Sequence, residues 1–162
     1  MKKLGILFAL LIGISGVVAS DPAEYSDPLT GYSVKRLPGT SYQIQSNDHK
    51  LASSFTLEEI DDKVFLKDFV PQREAHEANS MLAILGYLEA QGHAISGGES
   101  SFFWSDTKAN KAFLVQYGFE LLSEIPVSLK DYVPAGQRIY LRAKKIPLDV
   151  EDGDGQQVTI ER

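Results

Sequence analysis

Ser105-Asp-Thr-Lys108 sets a hydroxyl three residues ahead of an amine, the spacing at which a lysine can relieve a serine nucleophile of its proton. It is the Ser-x-x-Lys pattern of penicillin-interacting enzymes. Those enzymes also use a Ser-Asp-Asn element and a Lys-Thr-Gly strand, and this sequence contains neither. Asp106 is a residue that turns prefer, so a polar turn is the expected role of the tetrad. Glu74, His76 and Glu77 bring metal-ligating residue types together in one short stretch. Four residues after His76 stands Ser80 instead of a second ligand, so His49 or His93 would have to converge on it through the fold. Acids at the positive end of a helix account for the same cluster. Asp152, Asp154, Gly155 and Glu161 occupy positions three, five, six and twelve of a calcium-loop pattern, but Val150 stands at position one and Gln157 at position eight. A tight acidic hairpin is the expectation there. No Gly-x-Ser-x-Gly, His-Glu-x-x-His or phosphate-cradling glycine loop occurs. The sequence holds no assembled catalytic set, and no cofactor or metal is expected. Carboxylates paired only by the fold would escape this reading.

Two surfaces are candidates for binding a partner. Arg138, Arg142 and Lys144, with Tyr140 among them, form a basic stripe suited to a phosphate, a carboxylate or an acidic protein. The plainer reading is a charged solvent face that keeps a sheet soluble. Phe102, Phe103 and Trp104 form an aromatic knot, either a loop anchor for a partner's pocket or a plug that closes the core.

The elements that must position these residues centre on Pro71–Gly92, the longest helical pattern after the first twenty residues. Ala78, Met81, Leu82, Ile84, Leu85 and Leu88 recur mostly at intervals of three and four and give one apolar face. Ala75, Asn79, Ala83, Gly86 and Ala90 give a second stripe of small residues, so the helix is expected to pack on two sides. Pro71 suits the first helical turn and Gly92 the left-handed residue that ends a helix. Strands are expected at Ser41–Ser46, around Ser53, Phe55 and Leu57, and at Lys63–Val70, with Val64, Leu66 and Val70 on one side and Phe65 and Phe69 on the other. Phe113, Val115, Tyr117, Phe119 and Leu121 alternate with polar neighbours, which favours a strand over a helix. Arg138–Lys145 alternates as well, and the parity changes at Ile146, Leu148 and Val150. That change predicts a break near Lys144–Pro147. Glu151–Gly155 reads as a hairpin turn leading to a last strand with Val158 and Ile160 inward. One long helix among about five strands implies an α+β fold: a single helix packed on a mostly antiparallel twisted sheet in two layers.

Lys2 and Lys3, the apolar run Leu4–Val18 and the small residues Ala19 and Ser20 have the form of a secretory signal peptide, cut after Ala19 or Ser20. Residues 21–40, rich in Asp, Pro, Ser, Gly and Tyr, read as an extended arm, and 41–162 as one α+β domain. Residues 1–20 hold two of the 16 basic side chains and none of the 22 acids, so the remainder carries a net charge of −8. That charge argues against binding nucleic acid, and no later stretch is long enough to stay in a membrane after cleavage. The absence of cysteine excludes thiol catalysis, thiolate metal sites and disulfides.

The helix ending Leu88-Glu-Ala-Gln-Gly92, the segment Lys111-Ala-Phe-Leu-Val-Gln-Tyr117 and the closing hairpin opened by Ile146-Pro-Leu-Asp-Val150 resemble a family of small bacterial envelope domains. These are often lipoproteins of unknown function. The resemblance covers about half of the exported part and implies an α+β fold with no catalytic residue to carry over. The chain departs from that pattern in having no lipid-acceptor cysteine and no Trp-Gly pair in its final strand. The expectation is therefore a non-catalytic binding module, periplasmic or secreted, that engages another envelope protein. An inhibitor or immunity protein against a secreted hydrolase is one alternative, and a small cell-wall hydrolase is the other. Oligomeric state stays open.

Overall fold

The computed structural model describes residues 23–60, 63–93, 100–105, 108–142 and 144–162, with the backbone alone for residues 93, 100–105, 108 and 109. The expected signal peptide and its cut point lie outside the described residues, as do residues 94–99, and so do Asp106, Thr107 and the side chains of Ser105 and Lys108.

The fold is α+β, and its sheet is mostly antiparallel. Strands β1 (Glu24–Ser26), β2 (Ser33–Arg36), β3 (Ser41–Gln45), β4 (Leu51–Ile60) and β5 (Lys63–Pro71) pair consecutively and antiparallel. Helix α1 (Glu77–Leu88) then returns the chain so that β6 (Ser100–Ser105) lies parallel to β5. Helix α2 (Lys108–Gln116) leads to β7 (Glu120–Leu121), and β8 (Gln137–Arg142) slots between β6 and β7. The sheet order is β1-β2-β3-β4-β5-β6-β8-β7. Strands β9 (Pro147–Glu151) and β10 (Gln157–Glu161) form a separate hairpin.

Burial explains the layers. On one face Val34, Ile44, Phe55, Val64 and Leu66 meet Met81, Leu82, Ile84, Leu85 and Leu88 of α1. The opposite face carries a smaller cluster of Ile60, Phe65, Leu129 and Ile139. Every residue of α1 from Ser80 to Leu88 is buried, so this helix does pack on two sides, although Ala78 of its expected apolar face is exposed. Residues 24–36, expected as an arm, build β1 and β2, because Val34 pairs with Ile44 and shares its inward side.

Three local expectations are corrected. Pro71 ends β5 and does not open the helix; its fixed φ is as compatible with an extended strand end as with a first helical turn. A 3-10 turn, Glu74–His76, precedes α1, and Gly92 closes the last, widened turn at a φ of 78°. Residues 108–116 are helix. Leu114 and Tyr117, three apart, are buried while Val115 is 52% exposed, so the inward face follows the helical period. Gly118, at a φ of 83°, ends α2 in a paired-bond cap: Phe119 N–H donates to Leu114 O at 3.1 Å and Gly118 N–H to Val115 O at 3.0 Å. The third correction is inside β5. Thr56 pairs with Lys67 and Ser54 with Val70, so Asp68 and Phe69 together oppose one residue of β4. This bulge, with Asp68 at a φ of 53°, turns Phe69 onto the face of Val64 and Leu66 and leaves Val70 51% exposed. The expected break falls between Arg142 and Pro147, and the expected hairpin turn joins β9 to β10.

Candidate functional site

The sheet contains one parallel neighbour pair among its described strands, β5 and β6, and the pair comes apart. Its ladder runs from Val64 and Ser100 to Leu66 and Phe102. Beyond that point Phe103, Trp104 and Ser105 pair with β8, while Lys67, Val70 and Pro71 pair with β4. The carboxyl-terminal parts of the two parallel strands therefore run on without a shared ladder, a wedge in the pairing at the end of the sheet where open α/β folds place their ligands. The bulge at Asp68 lies on the β5 side of this wedge, beyond the last paired residue. A left-handed φ on a non-glycine residue is a sparsely populated state that clusters at functional sites.

The turn above β5 carries the acids singled out from the sequence. Glu74 is exposed, and Glu77 has its pKa raised by partial burial and then by the charge of Glu74. His76 is committed elsewhere, its Nδ1 lying 2.8 Å from Tyr32 Oη. No group of three or more His, Asp or Glu that could hold a metal occurs among the described residues, and His49 sits in the β3–β4 turn. Asp152 uses its Oδ1 to accept from the N–H groups of Asp154 and Gln156, both at 2.9 Å, as a tight acidic turn requires.

The basic stripe does not line up on a solvent face. Strand β8 is enclosed by β6 and β7, and Tyr140 and Arg142 point into the main core, 0% and 1% exposed. Arg138 is half-buried and donates to the carbonyls of Leu122 and Ser123 at 3.1 and 3.2 Å, which leaves Lys144 as the exposed member. Arg142 Nε donates to Tyr117 O and its guanidinium lies 6.0 Å from the centre of the Phe119 ring. Burial pulls its pKa down to about 10, against the opposing pull of Glu89. Phe102, Phe103 and Trp104 belong to strand β6 and not to a loop, and their side chains lie outside the described set.

The sequence reading missed two other clusters. Asp27 is buried, accepts from Thr30 N–H and Oγ at 3.0 and 2.7 Å, and pairs with Arg162. Its Asp-Pro-x-Thr setting is the signature of a side-chain-capped turn and was the available signal. The second is a cleft of about 490 Å³ between α1, the end of α2 and β9, lined by Asn79, Leu82, Gln116, Tyr117 and Leu148 among others. It joins residues from three distant segments, so no local pattern announces it.

No family model matches the chain, and neither does any curated protein. Two solved structures have a similar chain layout. One is an acetyltransferase of the GNAT family from Staphylococcus aureus Mu50, 14% identical, with a TM-score of 0.47 over 70% of this chain and 68% of that one. The other is an acetyltransferase from Streptococcus agalactiae 2603, 21% identical, with a TM-score of 0.45 over 64% of this chain and 65% of that one. Likeness at this level concerns the arrangement of elements and assigns this chain no substrate and no residue. It does correct two expectations. Both structures are named as acetyltransferases, which stands against the expected non-catalytic envelope module with its inhibitor and wall-hydrolase alternatives and against the expectation of no enzyme, and neither expectation is carried further.

Proposed function

We propose that the chain handles a small ligand in the wedge between β5 and β6 and that the reaction carried there is transfer of an acyl group. The observation that carries this reading is the parting of the strands after Leu66 and Phe102. The bulge supports it chemically. Asp68 stands outside the regular ladder, and a main-chain N–H held in that way is a preorganised donor for the charge that develops on an acyl oxygen. Glu74 and Glu77 repel an anionic donor at the helix start, which favours a donor whose acyl end is neutral, such as a thioester.

Acetyl transfer, the activity in the names of the two similar structures, is the first to assay. The chain has no cysteine, so thiol released from an acetyl thioester in the presence of an amine comes from the donor alone. Amide shifts on adding the thioester are expected from Lys67 to Arg73 and along β6. Shifts confined to other elements, or none, overturn the reading.

We also propose that residues 1–20 direct export, on the grounds of their charge and apolar pattern. The mass of the secreted protein tests this: it should begin after Ala19 or Ser20, and a full-length mass overturns it.

A further inference from the structure

We infer that the free edge of β9 docks an extended peptide, which adds antiparallel to the hairpin as a third strand and alternates basic with apolar residues. The backbone register carries this. Ile146 and Arg162 exchange both main-chain hydrogen bonds, at 3.1 and 3.2 Å, and Asp152 N–H donates to Gln156 O at 2.9 Å. Bonded pairs alternate along an antiparallel ladder. Leu148 and Val150 are therefore bonded to β10 as well, while the main-chain groups of Pro147, Asp149 and Glu151 point away from it. No strand pairs with that edge among the described residues. Nor does it lie on open surface: every residue of β9, and none of β10, lines the cleft of about 490 Å³ shared with α1 and the end of α2. The site does not depend on the wedge, since no lining residue belongs to β5 or β6.

A row of outward N–H and C=O groups is a template for one kind of occupant, another extended backbone. On the far wall stand Asn79 and Gln116, whose carboxamides donate and accept as the second edge of an inserted strand requires. Side chains set which backbone fits, because residues directly opposite across a ladder share a face. Leu148 and Val150 are turned to the core, so the residues beside them in the added strand meet Leu82 and are apolar. Asp149 and Glu151 lie on the exposed outer face with Glu161, and that face of the hairpin carries no lysine or arginine. Asp149 Oδ1 accepts from Thr159 Oγ1 at 2.6 Å, which holds the carboxylate on the outer face. Basic residues opposite the two acids make cross-strand pairs of unlike charge. A second copy of β9, laid antiparallel in full overlap, would instead set Asp149 against its own copy, so the same charges work against self-pairing.

The test adds acetyl-Lys-Val-Lys-Val-Lys-amide to the full chain and follows amide shifts and hydrogen exchange. Saturable shifts are expected along β9 and at Asn79 and Gln116. Exchange should slow most at Asp149 and Glu151, whose N–H groups start unbonded. The matching peptide with glutamate in place of lysine should not bind. N-methylation of the lysines removes the N–H groups that face β9 and should weaken binding about tenfold, the worth of two hydrogen bonds. No shifts, shifts outside the cleft, equal binding of the acidic or the N-methylated peptide, or a β9-paired dimer of the chain alone each overturn the inference. On the protein side, Asp149→Pro removes one outward N–H and spares the bonds to β10, the arrangement Pro147 already has. It should bind the lysine peptide more weakly than Asp149→Ala does, and equal affinities overturn the inference. Should Asp149→Pro lose its dispersed spectrum, the N-methylated peptide decides alone.

Discussion

Asp27 and Arg162, 135 residues apart in sequence, meet as a buried ion pair on the back of α1, at the one point where a glycine leaves them room. Arg162 also donates from Nη1 to Leu82 O at 3.0 Å, and Tyr25 Oη donates to Asp27 at 3.3 Å. Gly86 is the member of the small-residue stripe that this cluster needs. A Cβ there would stand 2.7 Å from Tyr25 Oη and 3.0 Å from both Arg162 Cζ and Asp27 Oδ1.

Gly86→Ala therefore sets two effects against each other. Alanine is the better helix former by about 1 kcal/mol. The intruding methyl displaces a desolvated ion pair, and overpacking of that kind costs about 1–3 kcal/mol or more. Net destabilisation is expected, read as a lower urea midpoint at unchanged slope. A midpoint at or above wild type would mean that the pair sits more loosely on the helix than described.

Ser53 Oγ donates to Ser80 Oγ at 2.8 Å, and both residues are 0% exposed. Ser53→Ala leaves the Ser80 hydroxyl buried without that bond and should cost about 1–3 kcal/mol. Changing both serines to alanine should cost less than the two single changes added together. A double-mutant cycle by chemical denaturation measures the difference, and strict additivity would remove the coupling.

Gly118 and Gly39 have nearly the same φ, 83° and 81°, but different surroundings. At Gly118 a Cβ would meet three Ile146 carbons at 3.0–3.2 Å, and at Gly39 it would meet nothing within 4 Å. Replacing Gly39 by alanine should show the strain of a left-handed residue alone, about 1 kcal/mol. Gly118→Ala should exceed that, because the α2 cap and the Ile146 contact are both disturbed. Equal losses in thermal unfolding would show that Ile146 yields freely.

Tyr117 and Arg142 shape stability at high pH in opposite senses. The Tyr117 pKa is raised by burial from 10.0 to about 12, so its contribution is complete below 10 and is lost as pH rises through about 12. Tyr25, also raised chiefly by burial, adds to that loss. The Arg142 pKa is lowered from 12.5 to about 10, so the folded protein sheds that proton first and regains stability over the same window. Tyr117→Phe removes only the falling part. Its stability relative to wild type should rise between pH about 10 and about 12, by at most 2–3 kcal/mol. A difference that stays flat across that window would show that the phenol titrates normally in the folded state.

The sequence displayed the features that repeat locally and concealed those that depend on a neighbour. The apolar face of α1, the β9–β10 turn and the break after Arg142 follow from periodicity, parity and glycine placement. Residues 113–121 misled because Phe113, Val115, Tyr117 and Phe119 alternate by chance over a helical turn and its cap; Leu114, which settles the matter, looks like one more apolar residue until a core exists around it. Arg142 failed for a different reason. A guanidinium reads as a surface group unless β7 is known to cover its strand, and β7 is two residues long. The wedge could not be read at all, since a parallel pair is set by what lies between its strands in space.

The β9–β10 hairpin shares no ladder with the large sheet among the described residues. What fastens it is the burial of Leu148, the partial burial of Val150 and Ile160, and the grip of Arg162 on Asp27 and Leu82. It is a latch, and the same bolt also holds the turn after β1. Amides of β9 and β10 should exchange with solvent ahead of those in β3–β5. Drawing the bolt with Arg162→Met should speed that exchange in the hairpin and around Asp27 together, swinging one wall of the Tyr117 cleft outward while the central strands keep their protection.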